Sequence, residues 1–310
     1  MCQTVSPYHH LETVQSFSLT QGGFRKRLST LDQLARFENT IRNTLINRNV
    51  CVAVFFDLSS AFDTVWHTAL LYKLSLCGVG GRLLRWIRAY LENRSFKVYY
   101  EGEYSSLRKS SSGVPQGAIL SPILFNIIMS DLAVVAGVVS SEYADDITMY
   151  ATGENIQEIT GKIQAAIDKF YQFTREWGLK INYNKTKCML FTKKHISALP
   201  LKVNNVQLEF VKQHKFLGML LDSPGLTWKN HVQYLRDSLL APINLIKSVS
   251  HHHWGADRKI LLNLYRSLIN SRIDYGSILY DTCSESYLEK LTVIQNTCLR
   301  IAIGARKTTP

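Results

Sequence analysis

The sequence predicts an α+β protein, an antiparallel sheet with helices packed on it, followed by a region that is nearly all helix. Three observations carry that expectation. Residues 51–58, CVAVFFDL, form a continuous β-branched and aromatic run, the pattern of a central strand covered on both faces. The segments VVSSEYA and ITMYA flank an Asp-Asp pair at 145 and 146, which reads as a hairpin with acids at its tip. From about residue 228 onward, apolar residues recur at helical spacing almost without interruption.

Taken in order, residues 29–49 place Leu31, Leu34, Phe37, Ile41 and Leu45 at three- and four-residue steps, with Ser29 or Thr30 positioned to cap, and so predict an amphipathic helix. The strand at 51–58 ends at an acid, Asp57. Helices are expected from Val65 to Cys77, stopped by Gly78, and from Gly81 to Leu91. Short aromatic runs separated by turn residues make 96–113 a hairpin. After a GVPQG turn, residues 119–135 read as one buried helix, and 155–177 as another ending at Trp177-Gly178. Strand-like INY and KCMLF follow, among Lys180, Lys185, Lys187, Lys193 and Lys194, with no acid between Lys180 and Lys194. Helical stretches at 235–249, 257–275 and 286–303 complete the chain, and Pro224-Gly225 marks the best domain boundary.

With 310 residues, 46% of them hydrophobic and 19% charged, the chain can bury a substantial core. Lys and Arg number 36 against 24 Asp and Glu, a formal charge of +12, which favours polyanionic partners and nucleic acid first. Charge alone leaves a merely basic soluble protein equally open. The six cysteines form no C-x-x-C pair, arguing against a zinc ribbon or a disulfide framework and for a reducing, intracellular setting. The first residues lack the layout of a secretion signal. Between Lys109 and Glu142 the only charge is Asp131, but Pro115, Gln116, Pro122 and Asn126 break the apolar run, so it reads as core and not as a membrane span.

Phosphoryl transfer to a 3′ hydroxyl needs divalent metals held by acids, and the ends of strands place acids accurately. Asp57 at the end of one strand, with Asp145 and Asp146 at the tip of another pair, would bring three carboxylates to one sheet edge. Such a cluster can hold two Mg²⁺ ions roughly 3.5–4 Å apart, with Mn²⁺ as a substitute. Taken singly, an Asp-Asp dipeptide is an ordinary solvated turn.

The conjunction of FFDLSSAFDTVWH (55–67), GVPQGAILSPILFN (113–126) and YADD (143–146) resembles the three central motifs of reverse transcriptases, in order and at suitable spacing. QGGFRKRLSTLDQL (21–34), GLKINYNKTKCMLF (178–191), KFLGMLLD (215–222) and QNTCLRIAIGARKTTP (295–310) narrow the resemblance to the non-LTR, Jockey-like retrotransposon branch. It implies a right-hand polymerase: partial fingers at 1–50, a palm at 51–224, and a helical thumb with the start of a downstream region at 225–310. The implied activity is RNA-directed DNA synthesis, with an RNA template, a DNA primer and deoxynucleoside triphosphates as partners.

The resemblance also assigns roles. Asp57, Asp145 and Asp146 become metal ligands and catalytic residues, and Lys185 a general acid toward pyrophosphate, or simply a strand-end lysine. Phe62 matches a steric gate against the ribose 2′ hydroxyl, or a core aromatic. Gln116, Gly117 and Tyr143 match residues beside the incoming nucleotide, although a Pro-Gln-Gly turn capping a helix would explain the glycine equally well. Arg25 and Lys26 resemble template contacts, or surface charge; Phe216, Leu217 and Gly218 resemble a primer-grip hairpin, or an ordinary strand pair. Arg82, Arg85, Arg88 and Arg94 are candidate phosphate contacts, the first three sharing a helix face that could equally be solvated. His251, His252 and His253 read as an exposed helix start, lacking a partner ligand at metal spacing. Asp63 reads as a cap or turn residue.

An Arg-Pro-Ile-containing fingers segment, an endonuclease and a ribonuclease H find no match, which suggests a fragment of an element. A catalytically inactive nucleic-acid-binding remnant is the competing expectation, and a maturase-like RNA-folding factor a more distant one. The family implies a nuclear and cytoplasmic location and leaves the oligomeric state open.

Overall fold

The fold is taken from a computed structural model, which describes residues 17–132, 135–251 and 254–305. Helix α1 (Thr30–Ile46) starts in a capping box, the Ser29 side chain accepting from the Asp32 amide while Asp32 reaches back to the Ser29 amide. Strand β1 (Val50–Phe56) follows and is buried along its whole length. Helices α2 (His67–Leu76) and α3 (Gly81–Leu91) come next. A two-stage hairpin then pairs β2 (Ser95–Phe96) with β5 (Arg108–Lys109) and β3 (Tyr99–Tyr100) with β4 (Glu103–Tyr104). Its tip, Glu101-Gly102, has positive φ at both residues, which matches the twist of a two-residue turn.

Helix α4 (Ser121–Ile128) is shorter than the sequence predicts. Ser130 Oγ donates to the Ile127 carbonyl at 2.8 Å, and Lys73 Nζ, buried under the Trp177 ring, donates to the Ile128 carbonyl and pairs with Asp131. Those donors satisfy carbonyls that a further helical turn would otherwise have used. Residues 133 and 134, in the expected continuation, lie outside the described residues.

Strands β6 (Val139–Tyr143) and β7 (Asp146–Gly153) form the expected acid-tipped hairpin, and α5 (Ile156–Glu176) crosses behind it. Next come β8 (Lys187–Thr192), the β9 (Lys202–Val203) and β10 (Val206–Gln207) pair, and β11 (Glu209–Phe210). The main sheet has the order β11-β8-β1-β7-β6 and is antiparallel except where β11 meets β8. The INY segment contributes one bridge, Ile181 to Leu58, and no strand.

Side chains on β1 alternate between two cores, as a period of two requires. Val50, Val52, Val54 and Phe56 face one built from α2 to α5. Cys51, Ala53 and Phe55 face another containing α1, the hairpin β12 (Gln213–Phe216) and β13 (Met219–Asp222), and the helices after residue 225. Phe37 is the hub of this second core, meeting Phe55, Tyr150, Phe191 and Phe216 edge-on at centroid distances of 5.7, 4.9, 6.0 and 5.9 Å. The C-terminal region runs through α6 (Lys229–Ser248), α7 (Arg258–Tyr265), a π turn at Arg266–Asn270, α8 (Ser271–Asp274), α9 (Ser277–Tyr280) and α10 (Glu285–Ile303). The α+β expectation with a helical C-terminal region is borne out. No helix among the described residues is long and apolar enough to cross a membrane.

Candidate active site

The site grows from the register of β1 on β7. These strands run antiparallel with Phe56 opposite Ile147, the last pair of the ladder, so Asp57 leaves β1 at the end of the sheet where Asp146 begins β7. Tyr143 pairs with Asp146 across the β6–β7 hairpin, leaving Ala144 and Asp145 as a two-residue tip. Asp57 is anchored on its other side, its amide donating to Thr186 Oγ1 at 3.3 Å and its carbonyl accepting from the Asn182 amide at 2.8 Å.

Electrostatics place the three carboxylates in one field. Burial, then the charges of Asp145 and Asp57, push the Asp146 pKa up to about 6, although the side chain keeps an open side to solvent. Among the described residues, no three His, Cys, Asp or Glu side chains are gathered closely enough to hold a metal by themselves. Burial is the larger cause of the Asp146 shift, and the like charges of Asp145 and Asp57 add to it. Mg²⁺ is ordinarily held by one or two carboxylates plus water and substrate phosphates, and not by an all-protein cage. The donor set therefore fits a hard divalent cation whose remaining ligands come with substrate.

A cleft of about 520 Å³ opens beside the tip, lined by Asp145, Phe62, Gln116 and Gly117 together with Phe24, Leu58, Ser60 and Ile119. Phe62 is half-buried and stacks on Phe125 at 4.6 Å, so it belongs to the core and to the cleft wall at once. Gln116 is exposed and donates to the Asp63 carboxylate at 3.2 Å. Asp63 thus orients the Gln116 amide, in addition to closing a turn through its own amide, which donates to the Ser60 carbonyl at 2.9 Å. Gly117 has φ +87 with nothing within 4 Å of where a Cβ would stand, so backbone conformation and not crowding accounts for the glycine.

Other residues singled out in the sequence stand farther from this cleft. Tyr143 is on the hairpin but does not line the cleft; Lys185 is exposed on the loop that leads to Thr186. Arg25 donates to the Ser18 carbonyl at 3.0 Å and lies over the Phe17 ring, so its guanidinium also ties the 17–25 loop together. Lys26 is exposed. Phe216 is 4% exposed and packs on Phe55, so its side chain is core, and a partner would meet only the turn beside it. That turn, Leu217-Gly218, has positive φ at both residues, and Tyr275 Oη donates to the Leu217 carbonyl at 2.6 Å. Arg82, Arg85 and Arg88 do share an outward face of α3, Arg88 within 4.0 Å of Glu92. His252 and His253 lie outside the described residues; His251 stacks on Trp254.

Sequence reasoning missed Phe24 and Ser60, whose positive φ values of 58 and 50 aim them into the cleft region, and Gln21, which is 1% exposed and grips the hairpin tip. A non-glycine residue at positive φ leaves no mark in an apolar pattern.

Residues 7–235 match the family described as reverse transcriptase (RNA-dependent DNA polymerase). The chain belongs to that family. The Jockey-like resemblance holds as well. The RNA-directed DNA polymerase from mobile element jockey of Drosophila melanogaster is 28% identical over 293 residues, covering 92% of this chain and 32% of that protein. The same element's polymerase from Drosophila funebris is 29% identical over 304 residues, covering 95% of this chain and 33% of that protein. The chain therefore spans about a third of the length of these reverse transcriptases. Apo telomerase from Candida tropicalis aligns over 96% of this chain and 54% of its own, with a TM-score of 0.51 and 13% identity, a likeness of fold alone.

Proposed function

We propose that this chain is the polymerase core of a non-LTR retrotransposon enzyme that extends a DNA primer on an RNA template with deoxynucleoside triphosphates. What supports the reading is that Asp145, at the hairpin tip, lines one cleft with Phe62, Gln116 and Gly117, while Asp146 begins β7 beside it and Asp57 follows the end of β1 on the neighbouring strand. Asp57 and Asp145 are the residues that would hold divalent metal, Mg²⁺ first and Mn²⁺ as a substitute, with Asp146 the outer and more easily protonated member. Bound metal there would activate the 3′ hydroxyl and steady the leaving pyrophosphate.

The rest falls to the chain's own groups. Phe62, fixed by its stack on Phe125, forms a rigid wall against which a ribose 2′ hydroxyl would clash, so the cleft favours a deoxyribose. Gln116, oriented by Asp63, presents its amide beside the nucleotide, and Gly117 leaves room for close backbone approach. Lys185, exposed on the loop next to Thr186, is the candidate donor of a proton to pyrophosphate. Arg25 and Lys26, the Leu217-Gly218 turn and the arginines of α3 are candidate nucleic-acid contacts, and backbone neutralisation by a chain of charge +12 supports a polyanionic partner.

The test is primer extension on an RNA template with Mg²⁺. Extension that disappears with Asp145→Asn supports the reading. Salt-sensitive RNA binding with no incorporation overturns it in favour of a non-catalytic binding remnant, and extension unchanged by Asp145→Asn overturns the assignment of the reaction to these acids.

A further inference from the structure

We propose that Gln21 is a positioning residue of the catalytic hairpin: its carboxamide grips both backbone groups of Ala144 and thereby fixes where Asp145 points. The inference rests on the polymerase reading above and assigns a part to a residue outside the acids and the cleft wall.

The need for a clamp is visible in the backbone. Ala144 sits at φ 58, a region that side chains with a Cβ seldom occupy without help. It is also the first residue of a two-residue tip whose second residue is Asp145. A relaxed Ala144 would swing the Asp145 side chain away from Asp57.

Gln21 supplies that help at both ends of one amide. Its Oε1 accepts from the Ala144 N–H at 2.9 Å and from the Gly23 N–H at 2.7 Å, while its Nε2 donates to the Ala144 carbonyl at 3.3 Å. Two N–H donors converging on one atom identify that atom as the oxygen, so the orientation of the amide is determined. The segment carrying Gln21 is laced to β6 just before the tip. Gly22 N–H donates to the Glu142 carbonyl at 2.8 Å, and Glu142 N–H to the Thr20 carbonyl at 3.1 Å.

Two further amides brace the cradle from different elements. Asn126 of α4 donates to the Gly23 carbonyl at 2.9 Å, and Gln33 of α1 accepts from Ser141 Oγ at 2.8 Å. Gly23 is required by closeness, since a Cβ there would stand 2.4 Å from the Ala144 nitrogen. Gln21 thus lies between two helices and the hairpin, and its own contacts fall on the residue adjoining Asp145.

The experiment uses the full chain with Gln21→Met, an apolar side chain of similar length, and Gln21→Glu, which keeps the acceptor and loses the donor. Mn²⁺ binding is read by electron paramagnetic resonance, with Asp145→Asn as the control for the site. Single-turnover incorporation on an RNA template-primer separates the rate constant from nucleotide and RNA affinity. For Gln21→Met the expected result is an incorporation rate 10- to 100-fold lower, Mn²⁺ affinity at least threefold weaker, and RNA affinity within twofold of wild type. Gln21→Glu falls between, and Ala144→Gly placed in the Gln21→Met background recovers part of the lost Mn²⁺ affinity, because glycine holds a positive φ unaided.

Should Gln21→Met fail to fold, Gln21→Glu decides alone, by the same two readouts. Wild-type Mn²⁺ affinity and rate in the folded Gln21 variants overturn the proposal while leaving the polymerase reading intact. A wild type with no Asp145-dependent Mn²⁺ binding overturns that reading, and this one with it.

Discussion

Replacing Asp146 by Asn should make the metal-free protein more stable, and only where the carboxyl would be charged. The folded pKa is raised from 3.8 to about 6 by burial and by the charges of Asp145 and Asp57. A carboxyl whose folded pKa is raised weakens the fold as it ionises, so stability is lost as the pH rises from 3.8 through 6. A shift of about two units sets a ceiling near ~3 kcal/mol at ~1.4 kcal/mol per unit. Solvent on the open side of Asp146 screens much of that, leaving about 1 kcal/mol. For a chain of this size that is roughly 1–2 °C in Tm.

The assay is thermal or urea unfolding in chelator, with wild type and Asp146→Asn compared from about pH 7.5 downward. The gain should be full above pH 6 and should shrink toward nothing near 3.8. Titrated Mg²⁺ should then stabilise the wild type more than the variant, since a ligand that binds only the folded state stabilises by its mass action. Destabilisation by Asp146→Asn at about pH 7.5, or a difference that ignores pH, would refute the claim that the three acids share one field.

Other consequences can be measured separately. Phe37→Ala removes the ring that joins Phe55, Tyr150, Phe191 and Phe216, and should cost about 3–5 kcal/mol in urea unfolding. Gln116→Ala breaks an exposed contact with Asp63; stability should stay within about 0.5 kcal/mol, while the KM for deoxynucleotide rises several-fold in steady-state extension. Phe62→Val should raise ribonucleotide incorporation relative to deoxynucleotide, and should cost ~1–3 kcal/mol of stability through the lost stack on Phe125. RNA binding should weaken steeply with salt, the log–log slope falling by about 0.7 for each phosphate contact removed, for example by Arg85→Ala.

What the sequence disclosed and what it concealed differ in physical kind. β1 was legible because both of its faces are buried, so its letters are apolar without alternation. The acid-tipped hairpin was legible because its strands and its turn each carry local chemistry. The end of α4 was not, because the groups that stop it include Lys73, which approaches from another helix. Phe216 was assigned to a grip by its neighbours in the string, yet the period of β12 turns it inward onto Phe55. Gln21 was invisible as a clamp because its partner lies more than a hundred positions away, at Ala144. The division of side chains between two cores was likewise hidden, since it depends on which helices return to each face of the sheet.

The most direct test of the account is to locate bound metal. Crystals grown with Mn²⁺, a deoxynucleoside triphosphate and an RNA–DNA template-primer should give an anomalous scattering peak between the carboxylates of Asp57 and Asp145, lost with Asp145→Asn. Manganese bound elsewhere, with those two side chains pointing into separate surroundings, would contradict it.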